Sequence, residues 1–178
     1  MFVAWRDLGF AKGRFALMGT VIVLMTLLVG LLSGLTAGLA RENVSAITGL
    51  PADRLAFAAP PSGQSASFTQ STVTEEQWSA WAGRPGVTAA APLGIRTLNG
   101  AAGDRTAAVS AFGTEPSGGL APVAPAPGKA VLSASAAEEL GAAVGDAVRL
   151  GPVELTVAAV AGDASYSHTP VVWTALGD

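Results

Sequence analysis

Residues 15–40 read FALMGTVIVLMTLLVGLLSGLTAGLA, a run of 26 residues without a charge between Arg14 and Arg41. At about 1.5 Å of helical rise per residue, the run outlasts the roughly 30 Å hydrocarbon layer of a bilayer and is long enough to cross it. The rival reading is a cleaved signal peptide, for which Gly38-Leu39-Ala40 offers small residues at a cleavage position. Signal-peptide apolar regions span about 7–15 residues, so an uncleaved transmembrane helix is the expectation.

The flanking charges give this helix a direction. Residues 1–14 hold Arg6, Lys12 and Arg14 against Asp7, a net of +2, whereas residues 41–178 hold seven bases and twelve acids, a net of −5. Short basic flanks stay in the cytoplasm, which places the N-terminus inside the cell membrane and everything after residue 40 outside. In the flank, Phe2, Trp5, Leu8 and Phe15 alternate with Arg6, Asp7, Lys12 and Arg14. That pattern suits an interfacial helix on the headgroups, or a plain basic flank. The expected organisation is a cytoplasmic flank over 1–14, a transmembrane helix over 15–40 and an extracytoplasmic domain over 41–178, with the lipid bilayer as first partner.

Inside the span, Thr26, Gly30, Gly34 and Gly38 recur every four residues and share one helix face. Helices associate in lipid by close packing and not by hydrophobic expulsion, so a stripe of small residues is expected to be a helix-packing face.

Composition limits what the outer domain can be. Half of the 178 residues are apolar and 13% are charged, with the surplus gathered in the span. Without a cysteine the chain has no disulfide, thiolate metal site or Cys nucleophile, so the outer domain depends on a hydrophobic core. The acidic balance leaves no basic face for nucleic acid.

Beyond Arg41 the pattern predicts an α+β domain. Leu55-Ala56-Phe57 and Ser67 to Val73 read as short strands around a Pro/Ser/Gly turn. Thr74-Glu75-Glu76-Gln77 reads as a capping box opening a helix that ends by Gly83, with Trp78 and Trp81 on a face expected to pack on the sheet. Thr88 to Leu98 and Arg105 to Phe112 read as a hairpin turning at Asn99-Gly100. After a Pro-rich connection, Lys129 to Leu132 predicts a strand and Ser135 to Glu138 a second capping box, its helix stopping at Gly141. A hairpin of Ala147 to Leu150 and Val153 to Val160 turns at Gly151-Pro152, and a last strand, Val171 to Trp173, is expected to lack its partner.

Catalytic signatures are missing. Gly128-Lys129 is followed by Ala130 and preceded by Val123 where a phosphate loop needs glycine. The single histidine, His168, has no triad or metal-ligand companions, and no cofactor signature occurs; the chain is not expected to be an enzyme. Asn43-Val44-Ser45 is a formal glycosylation sequon of little weight, and Asp146 is expected to bond local backbone amides.

Ala4-Trp5-Arg6-Asp7-Leu8, the basic Lys12-Gly13-Arg14-Phe15 and the glycine-bearing span together resemble the start of FtsX-like and MacB-like ABC transporter permeases. Val131-Leu132-Ser133 through Glu139-Leu140-Gly141, then Val144-Gly145-Asp146-Ala147-Val148-Arg149-Leu150 and Leu155-Thr156-Val157, is similar to the strand, helix, Gly-Asp and hairpin passage of their outer, MacB-like periplasmic core domain. The resemblance implies a permease with one span before that domain and three after it. It also implies a second permease subunit, as a dimer, and a cytoplasmic ABC ATPase whose motion reaches the outer domain. Substrates in that family include lipids, lipoproteins, drugs and cell-wall enzymes. Since no second apolar run follows, the chain is expected to be an N-terminal portion with an outer domain incomplete at its C-terminus. A single-span anchored binding or sensory domain accounts for the composition equally well.

Overall fold

The computed structural model describes residues 12–68 and 70–178. The chain divides into two compact units, residues 1–41 and 42–178. The aromatic and basic segment over residues 1–11 lies outside the described residues.

Helix α1, Lys12–Glu42, is continuous through the whole apolar run and has no buried residue. Its threonines satisfy their own hydroxyls: Thr20, Thr26 and Thr36 each donate to the carbonyl four residues earlier at 2.8 Å. A helix that keeps its polar groups internally bonded is suited to hydrocarbon. Among the described residues one helix, α1, is long and apolar enough to cross a membrane.

Among its described residues the second unit is built on seven strands: β1 Leu93–Ala102, β2 Arg105–Thr114, β3 Lys129–Leu132, β4 Ala147–Leu150, β5 Val153–Val160, β6 Ser165–Tyr166 and β7 Thr169–Ala175. Short helices α2 (Ser45–Thr48), α3 (Glu75–Ala82) and α4 (Ala134–Leu140) join them. The neighbour order β2-β1-β4-β5-β3-β7 is closed by a parallel pairing of β2 with β7, which turns six strands into a ring, and β6 adds to β7. The architecture is the expected α+β domain behind an apolar helix.

Five ring strands contribute Val109, Leu132, Val148, Leu155, Val157 and Val172 to one buried core cluster, and Leu98 and Ala102 of β1 pack against it, so this cluster is the interior. Leu140 and Ala136 of α4 pack into the same cluster. A second cluster lies on the other face of β2, β3 and β7, around Phe112, Val131, Val171 and Trp173, and is covered by Ala46 of α2. Strand β7 therefore has both faces buried: Val172 belongs to the interior cluster while Val171 and Trp173 belong to the outer one.

The closed ring corrects the expectation that Val171 to Trp173 lacks a partner, because β7 pairs with β2 on one side and β3 on the other. The expected turn at Asn99-Gly100 is also displaced. Both residues lie within β1, and the hairpin turns at Gly103-Asp104 between the paired Ala102 and Arg105. Packing overrides local turn chemistry here: a Cβ on Gly100 would stand 3.3 Å from Leu150 and Val109 side-chain atoms, so glycine lets β1 approach the interior without displacing them. Pro92 and the residues before it have no ladder, and β1 starts at Leu93, not Thr88.

Leu55 to Phe57 and Ser67 to Val73 are not strands among the described residues. They are joined by side chains instead: Phe57 meets Phe68 edge-on at 4.9 Å, and Ser71 Oγ accepts from the Ala58 amide at 2.9 Å. Thr74 and Gln77 form the expected capping box. Yet α3 has no buried residue, and Trp78 and Trp81 belong to neither core cluster, so they do not pack on the sheet as expected. The cap of α4 is Ser133, whose hydroxyl accepts from the Ala136 amide, and not Ser135, whose hydroxyl donates to Asp163 Oδ1 at 2.8 Å. The helix does stop at Gly141, in the left-handed region at φ 63°. The β4–β5 hairpin turns at Gly151-Pro152 as expected, with Leu150 opposite Val153.

Candidate functional site

Two candidate sites are the Thr26, Gly30, Gly34 and Gly38 face of α1 and the residues that follow that helix. On α1, a Cβ built on Gly30, Gly34 or Gly38 meets nothing within 4 Å, and Thr26 turns its hydroxyl back onto Ile22. The four residues expected to form a packing face thus present a smooth, open strip.

The residues after α1 are tied to the β6–β7 hairpin. The Asn43 carbonyl accepts from the Ser167 amide at 3.0 Å, and its side-chain Oδ1 accepts from the His168 amide at 2.7 Å. Ser45 Oγ accepts from the Ser165 amide at 2.9 Å. The sequon residues Asn43 and Ser45 are therefore structural acceptors, a role that no tripeptide pattern signals. Beneath the turn, Ser110, fully buried, places its hydroxyl 2.7 Å from that of Thr169 and 3.2 Å from that of Thr97. Thr169 in turn donates to the Tyr166 carbonyl at 2.8 Å. Tyr166 sits edge-on between Phe68 and Phe112, each at 5.7 Å, and burial there pushes its phenol pKa up.

The remaining sequence candidates resolve into structural roles. His168 is exposed at the hairpin turn, and among the described residues no group of His, Asp and Glu could hold a metal ion. The Gly128 amide points at the Asp178 carboxylate, 3.2 Å from both oxygens, an arrangement that a phosphate would have to displace. Asp146 accepts from the Ala143 amide at 2.8 Å, as its turn position suggested. A surface cleft of about 190 Å³ near Arg149 and Glu154 is smaller than sites that enclose small organic ligands, about 300–1,000 Å³.

Comparison with known proteins identifies the architecture. The model of the MacB-like periplasmic core domain matches residues 16–177, which takes in most of α1 and the entire strand ring. The chain belongs to that family. Among curated relatives of this MacB-like chain, the hemin transport system permease protein HrtB of Staphylococcus epidermidis is 49% identical over 45 residues. That stretch is 25% of this chain and 13% of the relative. The Staphylococcus haemolyticus protein of the same name is 40% identical over 53 residues, 30% of this chain and 15% of the relative. The chain thus matches only a small part of the length of these relatives. A solved structure, the extracellular domain of the noncanonic ABC-type transporter YknZ from Gram-positive bacteria, is similar with a TM-score of 0.48 at 14% identity. The similarity covers 59% of this chain and 63% of that one.

Proposed function

We propose that this MacB-like chain is part of the membrane subunit, the permease, of an ABC transporter. In this reading it transmits motion from a cytoplasmic ATPase to an extracytoplasmic domain, for export or for handling lipids and lipoproteins. The observation that carries the reading is that one family match spans an apolar helix and the strand ring together, so the domain belongs with a membrane segment. The charge asymmetry supports an N-terminus inside the cell and residues 41–178 outside. Residues 1–14 then lie at the cytoplasmic surface and residues 15–40 in the bilayer. The strip of Thr26, Gly30, Gly34 and Gly38 serves as the face toward another helix of the permease or of a second permease subunit. Transport and ATP hydrolysis belong to that larger assembly, since a lone helix encloses no polar path.

Two measurements test this. Single cysteines at Ser65 and Ala11 are exposed to a membrane-impermeant maleimide in intact cells; labelling at Ser65 alone is expected, and labelling at Ala11 alone overturns the orientation. Affinity purification of the tagged protein in mild detergent is expected to carry an ABC ATPase with it. Recovery without any ATPase overturns the permease reading.

A further inference from the structure

Helix α1 ends at Glu42, and Asn43 follows at once. The turn that Asn43 holds is an unusual one. Ser167 and His168 have φ of 51° and 64°, a conformation that two-residue hairpin turns of type I′ require and that asparagine and glycine normally supply. Serine and histidine take it under strain, and strained residues persist only where their surroundings over-determine them. Here the restraints come from two sides. Asn43 accepts both strained amides, while Ser45 both accepts from the Ser165 amide and donates to its carbonyl, at 3.3 Å. On the other side lie the hydroxyls of Ser110 and Thr169. The turn opens directly into β7, the strand that hydrogen-bonds to both β2 and β3.

From this we infer that Asn43 is a positioning residue that couples the end of the membrane helix to strand β7, with Ser167-His168 as a turn whose geometry is conditional on it. The inference rests on the permease reading, in which motion of the helix must reach the ring. A free linker would absorb such motion; two hydrogen bonds from the first residue past the helix pass it to a central strand. The choice of residues agrees with a conditional turn. An Asn-Gly pair would hold the same shape unaided, whereas Ser-His relaxes when its acceptors move away.

The test is hydrogen exchange, followed by mass spectrometry, of the full-length permease with its co-purified ATPase in nanodiscs, nucleotide-free and vanadate-trapped. In the unaltered protein, exchange across residues 165–175 is expected to differ between the two states. Asn43→Ala, which removes the Oδ1 acceptor and keeps the main-chain carbonyl, is expected to speed nucleotide-free exchange at residue 168 at least tenfold, leave β4 and β5 unchanged, and abolish the difference between states. Asn43→Asp, which keeps both acceptors, is expected to retain it. His168→Gly, which removes strain while leaving the fold intact, is expected to protect the turn even beside Asn43→Ala without restoring the response to nucleotide. A nucleotide response that survives in Asn43→Ala overturns the coupling role alone. No response in the unaltered protein overturns the permease reading and the coupling role with it.

Discussion

The side chain of Arg105 lies across Gly141: a Cβ on that glycine would stand 2.9 Å from Arg105 Cδ, and the guanidinium donates to the Glu138 carbonyl at 3.4 Å. The start of β2 thereby adds a second donor at the C-terminal end of α4, where the Glu138 carbonyl also accepts from the Gly141 amide at 3.2 Å.

Replacing Gly141 with alanine imposes a left-handed conformation on a residue with a Cβ and pushes Arg105 off its carbonyl. The expected cost is about 1–3 kcal/mol of stability, seen as a lowered Tm in detergent. Arg105→Ala removes only the cap and is expected to cost less than about 1 kcal/mol. If Arg105→Ala proved the more damaging of the two, backbone strain at position 141 would not be the controlling effect.

Thr114, at the end of β2, is fully buried, and its hydroxyl has no hydrogen-bond partner among the described residues. Valine has the same shape without the desolvated hydroxyl. Thr114→Val is therefore expected to raise stability by about 1 kcal/mol, measured by denaturant unfolding. A loss of stability would mean that the hydroxyl is satisfied by an ordered water.

Tyr166 gives the strand-ring domain an alkaline limit. Burial raises its folded-state pKa above the unfolded value of 10.0, so the native state favours the neutral phenol. Below that value neither state is ionised and the contribution is complete. As pH climbs beyond it the unfolded chain loses its proton first, and stability falls until the folded pKa is passed. Thermal melts from pH 8 to 11 should show this loss above about pH 10, and Tyr166→Phe should flatten it. Identical curves for the two proteins would remove Tyr166 as the cause.

Gly34 sits midway along the open strip of α1, where an added side chain meets nothing within the chain itself. Gly34→Leu is favourable in hydrocarbon and should insert normally, while keeping a second backbone at a distance. The expected outcome is at least a several-fold drop in cysteine cross-linking to other spans or to a partner subunit, with membrane insertion unchanged. Cross-linking at the unaltered level would make the stripe incidental.

What could be read from the sequence follows the range of each interaction. The 26 uncharged residues between Arg14 and Arg41, the glycine stop of α4 and the two-residue turn at Gly151-Pro152 depend on neighbours a few positions apart. Each could be recognised from its own segment. The family resemblance was legible for the same reason, since the Val131 to Leu150 passage carries its strand, helix and turn signals in order. Tertiary structure decided the rest. Whether Asn99-Gly100 turns or runs on through a strand depends on Leu150 and Val109, which no local pattern supplies. The partners of β7 come from residues about 60 and 40 positions earlier, as Ser110 opposite Val171 and Leu132 opposite Val172 show. Most hidden of all was Asn43, 125 residues from the turn at His168 that it holds. A hydrogen bond is short in space and indifferent to separation along the chain, so that contact exists only once the ring has closed and brought the hairpin beside Asn43.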